Sequence, residues 1–156
     1  MLGDPGVVLV ATLRRDGAPR LSPVEPLFWR GDLWLGMGFE SLKAKDLVRD
    51  PRILVHSIVT SHDGMAGEFK LRGRAVLERG PVEGEYARVV ARELGWKPTV
   101  GRFHLFRVDV EDITFIRWGE ANDQYVTMWP AGTEVVRRGT SATSVGRPEP
   151  MRDLLV

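Results

Sequence analysis

Ser41 and Lys43, in the run MGFESLKAKDL over residues 37–47, are the residues best spaced to do chemistry. A Ser directly before a short amphipathic segment is an N-cap signal. Its hydroxyl and the first unpaired backbone N–H groups then converge on one point, where the helix dipole is positive. A Lys in that first turn is out of place unless an anion sits there. Backbone donors, dipole and Lys43 together make the kind of site that phosphates occupy. Arg20, on the preceding extended segment, can converge on the same point. A plain cap with a solvated Lys43 has the same spacing and is the competing reading.

Other residues offer less. Glu68, Lys70, Arg72 and Arg74 alternate with Phe69, Leu71, Gly73 and Ala75, which is the period-2 pattern of a strand with one charged face. Such a face usually meets water, though it can also line a subunit contact or a ligand groove. Trp29, Trp34, Trp118 and Trp129 can stack on a flat ring or fill a core. His56, His62 and His104 are scattered and match no metal-ligand spacing. Asp109, Glu111 and Asp112 read as a turn ending a strand. No Gly-x-Gly-x-x-Gly, Walker loop or Gly-x-Ser-x-Gly elbow occurs. No catalytic acid, base or metal ligand is therefore assigned.

The elements that position Ser41 and Lys43 follow from patterning. Val7–Leu13 is a short apolar strand, followed by the hairpin signal Asp16-Gly17. One strand is expected from about Pro19 to Trp29, with Pro23 and Pro26 marking an edge or a bulge. Leu33–Gly38 is the next strand. The helix spans about Leu42 to Arg49 and stops at Asp50-Pro51. Strands at Arg52–Val59 and Glu68–Leu77 flank the loop TSHDGMAG. A second helix runs over Pro81–Leu94. Strands at Phe103–Val110 and Ile113–Trp118 precede a hairpin around Pro130-Ala131-Gly132. The pattern is mainly β and antiparallel with two helices, and a nearly closed barrel removes the edges of such a strand set.

Composition sets the outer bounds. The chain has 156 residues, 43% hydrophobic and 28% charged, with a net charge of +1. That length favours one domain, and the charge recruits neither nucleic acid nor a membrane surface. There are no cysteines, so disulfides and thiolate metal sites are excluded. No apolar run is long enough for a membrane span, and no signal peptide is expected, which fits a cytoplasmic location. Residues 1–138 are expected to form the domain and 139–156 a loosely ordered tail.

The order of these signals carries a resemblance. The stretches PRLSPVEPLFWRGDLWLGMG, SLKAKDLVRDPRILVH and FKLRGRAVLE resemble the pyridoxamine 5′-phosphate oxidase-like, FMN-binding split-barrel family. The Ser-x-Lys-Ala run followed by Asp-Pro-Arg is the most specific part. The resemblance implies a six-stranded antiparallel split β-barrel with short helices, forming a homodimer with the cofactor at the dimer interface. The implied cofactor is FMN, with the deazaflavin F420 as the alternative; a few relatives handle haem. Carried over by position, Lys43, Ser41 and Arg20 face the cofactor phosphate. Leu21, Ser22, Pro23 and Val24 run along the ring. Gly36 and Met37 lie beside the phosphate, Glu68 stands where the oxidase has Gln against the cofactor, and Lys70 joins a basic groove.

Three departures qualify what is implied. Leu42 replaces the family Arg after the Ser, Glu68 replaces Gln, and no C-terminal Arg-x-His motif is present. Oxidation of pyridoxamine phosphate itself is therefore not expected. The implied function is an oxidoreductase moving a hydride between a flavin or deazaflavin and a small-molecule substrate. The alternatives are a non-catalytic flavin- or haem-binding barrel and a barrel with an empty site.

Overall fold

The computed structural model describes residues 6–151. Its core is a long antiparallel ladder. Strands β1 (Val8–Leu13), β2 (Pro19–Val24), β3 (Pro26–Trp29) and β4 (Asp32–Gly38) lead into helix α1 (Leu42–Arg49). Strands β5 (Arg52–Ser57) and β6 (Glu68–Glu78), helix α2 (Pro81–Glu93) and strand β7 (Phe103–Trp118) follow. Hydrogen bonding runs β2-β1-β5-β6-β7-β4, which supplies six barrel strands, with β3 appended to β4. The strands β2 and β4 approach each other without a shared ladder. The barrel is split at that seam.

Burial follows the pleat. On β1, Val8, Val10 and Thr12 point inward, and their register partners Val24, Ser22 and Arg20 on β2 share that face. Leu35, Met37, Val55, Leu71, Phe106 and Val108 complete the interior. Helix α1 closes one end of the barrel with Ala44 and Leu47. Asp50, in an extended conformation, ends it directly before Pro51. Helix α2 covers the outside of β3, β4 and β7, packing Tyr86 and Val90 on Leu27, Trp34, Phe103 and Leu105. Pro81 opens this helix, and the Gly80 N–H donates to Glu83 Oε2 at 3.1 Å.

Three local expectations change. The single strand over Pro19–Trp29 is two strands broken at Glu25, because Pro26 has no N–H with which to continue the ladder. The break lets β2 stay on β1 while β3 turns onto β4. The expected turn at Glu111-Asp112 is a bulge inside one 16-residue strand. Arg72 pairs with Asp112 and Gly73 with Val110, leaving Glu111 as the extra residue. Gly73 makes the bulge possible, since a Cβ there would stand 2.3 Å from the Asp109 carbonyl oxygen. The segment from Gly139, expected as a loose tail, carries β10 (Gly139–Ser141) paired with β11 (Ser144–Val145). Farther on, β12 (Glu149–Pro150) pairs with β9 (Thr133–Arg137), which itself pairs with β8 (Gln124–Trp129). Residues 152–156 of that tail lie outside the described residues. Among the described residues, no helix is long and apolar enough to cross a membrane.

Candidate functional site

The split between β2 and β4 opens into a cavity of about 400 Å³. Pro23 and Val24 form one wall, Gly36, Met37 and Gly38 the other, and Lys43 enters from α1. Five residues expected from the sequence, Pro23, Val24, Gly36, Met37 and Lys43, thus share one cavity. Lys43 is half-buried and makes no ion pair among the described residues, whereas its neighbour Lys45 pairs with Glu40 at 2.9 Å.

Ser41 holds the N-cap position with extended dihedrals, as its residue type favours. Its side chain makes no capping hydrogen bond, and its Oγ is buried without a partner. Buried hydroxyls normally find partners, and this one has none among the described residues. The Ser41 N–H donates to the Gly38 carbonyl at 3.1 Å, and the Ser41 carbonyl accepts from Lys45 at 3.0 Å. The amides of Leu42, Lys43 and Ala44 precede the first helical bond and remain as donors. Three free amides and the unpaired ammonium of Lys43 at one helix start suit an anion such as phosphate, whereas Ser41, with its hydroxyl buried, is not among the residues that line the cavity.

Arg20 is placed differently. Its Nε donates to Asp46 Oδ2 at 2.6 Å, inside the barrel end. Asp46 also accepts from Thr12 Oγ1 at 3.0 Å and from Arg49 at 3.2 Å. Burial alone would raise the Asp46 pKa, but the hydrogen bonds from Arg20, Thr12 and Arg49 outweigh it and hold it below the usual carboxylate value. The cluster ties α1 to β1 and β2, and so fixes where the helix start points. Arg20 is a member of that tie and not of the cavity wall.

The other expected residues lie off the cavity. Ser22 faces inward one pair along from Arg20. Leu21 is 63% exposed on the outer face of the sheet. Glu68 pairs with Lys70 at 3.0 Å and lies 3.9 Å from His56 Nε2. Register sets Lys70, His56, Leu9 and Pro23 in one row across β6, β5, β1 and β2. That outer face bears the exposed Leu21 and Leu54, and the charged row Lys70, Arg72 and Arg74 borders it. It connects the Glu68–Lys70 pair to the cavity wall at Pro23.

Val7, Glu25, Gly38 and Trp96 also line the cavity and were not among the residues expected from the sequence. Trp96 follows α2 and packs edge-on to Phe103, with ring centroids 5.7 Å apart. A Cβ on Gly36 would lie 2.4 Å from the Trp96 ring and 2.6 Å from the Tyr86 hydroxyl, so only glycine fits there. Burial pushes the Tyr86 phenol up to about 12; its backbone contact with Gly36 pulls down and the Glu25 charge pushes up. Nothing local in the sequence near Gly95-Trp96 signalled a wall residue. Glu25 was hidden inside what read as one continuous strand.

A family model described as Pyridoxamine 5′-phosphate oxidase matches residues 1–117. No curated protein matches the chain at a significant level. Among solved structures, a NimC/NimA family protein from Clostridium acetobutylicum aligns with TM-score 0.62 at 18% identity, covering 78% of this chain and 83% of that one. A haem-binding protein from Mycobacterium smegmatis gives 0.60 at 22%, covering 78% of this chain and 52% of the other. An F420 reductase gives 0.56 at 18%, covering 72% and 91%. At these identities the similarity speaks to the fold, which is the mainly β split barrel described above. With the family model spanning three-quarters of the residues, the chain belongs to the pyridoxamine 5′-phosphate oxidase family.

Proposed function

We propose that this protein is a flavin-binding oxidoreductase whose cofactor phosphate docks at the start of α1. The observation that carries the reading is the unpaired Lys43 in the cavity at a helix start whose first-turn amides are free and whose N-cap Ser41 Oγ has no partner among the described residues. Together they supply neutral donors and one full charge that forms no ion pair among the described residues. The Leu42 side chain, 61% exposed, adds nothing to that set, so Lys43 carries the charge alone.

FMN is the proposed cofactor and F420 the alternative. When bound, either would supply hydride chemistry; the protein supplies binding, orientation and electrostatics. Ser41 and Lys43 would hold the phosphate. The seam between β2 and β4 would hold the flat part against Pro23, Val24 and Met37. Asp46 keeps α1 fixed so that these donors stay aimed. No side chain at the cavity is assigned as acid or base. The family likeness and the outer sheet face around Leu21 and Leu54 support a homodimer, with Glu68 and Lys70 at its border. The substrate is a small organic molecule entering beside the ring.

Equilibrium titration of FMN and of F420 into the purified protein and into Lys43→Ala tests the reading. The wild type should bind one cofactor clearly better. Lys43→Ala should lose about 1.5–3 kcal/mol, the worth of a charge-assisted hydrogen bond. Equal affinity of wild type and variant would overturn the phosphate site.

A further inference from the structure

A second cavity, of about 380 Å³, lies on the outer face of the sheet and shares no lining residue with the one at Lys43. Register fixes its floor. Ala11, Leu54 and Arg72 form one row across β1, β5 and β6, and Arg52 and Arg74 are the next pair across β5 and β6. Leu13 and Pro19 pair across β1 and β2, and all of these residues line the cavity. The Leu13–Pro19 pair stands four residues along β1 from the pair Leu9–Pro23, whose proline borders the first cavity, so about 13 Å of strand separates the two.

The charges in this second cavity do not balance. Arg52 and Arg74 stand directly opposite each other, and like charges so placed destabilise a sheet. Both residues are exposed, so no burial offsets the repulsion. Asp50 holds Arg52 at 2.6 Å, and Asp112 Oδ2 accepts from Arg72 Nε at 2.8 Å. Arg74 has no ion pair among the described residues, although Asp109 is its register partner on β7. The one acid in the lining, Glu111, stands 3.9 Å from Arg72 Nε. Glu111 and Gly73 belong to the bulge, and bulges are frequent beside active sites. A mainly apolar lining with a few polar groups is the composition of a small-molecule site. A guanidinium left without a carboxylate supplies paired donors for an anionic head.

We propose that this cavity is a second binding site, for a small organic anion with an apolar body. Arg74 takes the anionic head with Arg52 beside it, and Leu13, Pro19 and Leu54 carry the body. The bound anion relieves the repulsion between the two arginines. The site is separate from the start of α1 and does not rest on the flavin reading.

Three probes separate head from body: naphthalene-2-carboxylate, naphthalene-2-methanol and acetate. Each is titrated into the full chain and followed by NMR on the Leu54 methyl signals, assigned with Leu54→Val. The naphthalene carboxylate should bind about tenfold tighter than either the alcohol or acetate and shift those signals. Arg74→Gln should weaken it about five- to tenfold and change the alcohol by less than about twofold. The same variant should melt no lower than wild type, because it removes a like-charge pair. Lys43→Ala should leave the carboxylate's affinity unchanged, and Arg74→Gln should leave that of FMN unchanged. Equal binding of carboxylate and alcohol, or no effect of Arg74→Gln, would overturn the proposal. So would loss of carboxylate binding in Lys43→Ala, because the anion would then sit in the first cavity. If sedimentation shows a wild-type dimer that Arg74→Gln converts to monomer, a second copy of the chain fills this face and the ligand site falls.

Discussion

Removing the carboxylate of Asp46 should loosen the whole site from below. Asp46 is 4% exposed and accepts from Arg20, Thr12 and Arg49 at 2.6, 3.0 and 3.2 Å. Breaking a buried pair by deleting one partner costs about 3–5 kcal/mol. The Arg20 side chain is 20% exposed and can turn partly to water, which places Asp46→Ala at the low end, about 3 kcal/mol. For a chain of this size that is a fall in Tm of about 6–12 °C. Asp46→Asn keeps the shape and should recover part of the loss. The effect depends on pH with a definite sign. The folded pKa of Asp46 lies below its ordinary 3.8, so its contribution is present above 3.8 and is lost as pH falls through the folded value. The gap between wild type and Asp46→Asn in urea melts should therefore be constant near neutrality and shrink below about pH 4. A loss under 1 kcal/mol, or a gap that ignores acid, would refute the argument that this cluster holds α1 in place.

Other outcomes follow from the same geometry. Gly36→Ala should destabilise the protein by about 1–3 kcal/mol, because its Cβ meets Trp96 and Tyr86; Trp96→Ala in the same chain should restore part of the loss in thermal melts. Gly73→Ala should cost at least as much, since its Cβ meets the Asp109 backbone, which cannot swing aside; a chevron or melt reads this directly. His104 is buried between Phe39 and Phe106, and burial, then the charge of Arg79, hold its pKa below 6.5. The unfolded chain takes up a proton there before the folded one, so this residue lowers stability as pH falls below 6.5. His104→Phe should flatten that part of the stability–pH profile. The exposed Arg30–Glu85 pair should matter little: Arg30→Ala should change stability by less than about 1 kcal/mol.

Much of the fold was written in local signals. Helix α1 was readable to the residue because a cap type, an amphipathic turn and Asp-Pro coincide over eleven positions, 41–51. The alternation in β6 announced which side chains meet the core. The bulge at Glu111 was not legible: its polar Glu-Asp pair looks like a turn until the partner glycine on β6 is known. The break at Glu25 was masked by two prolines that fit an edge strand equally well. For the candidate site, Lys43 lines the cavity and its place in the first turn of α1 was legible because the helix start is a local signal, whereas Ser41 is not among the lining residues. Arg20 was drawn away by Asp46, a residue 26 positions later, and no spacing rule foresees that pairing. Trp96 reaches Gly36 only through the packing of α2 on β4, which is tertiary and leaves no mark in the string.

The most direct measurement compares FMN with riboflavin, which lacks the phosphate, in wild type and Lys43→Ala. If the start of α1 is a phosphate site, FMN binds wild type at least tenfold tighter than riboflavin, and most of that preference disappears in Lys43→Ala. If FMN and riboflavin bind the wild type alike, or the preference survives the loss of Lys43, no phosphate is held there and the account of this cavity is wrong.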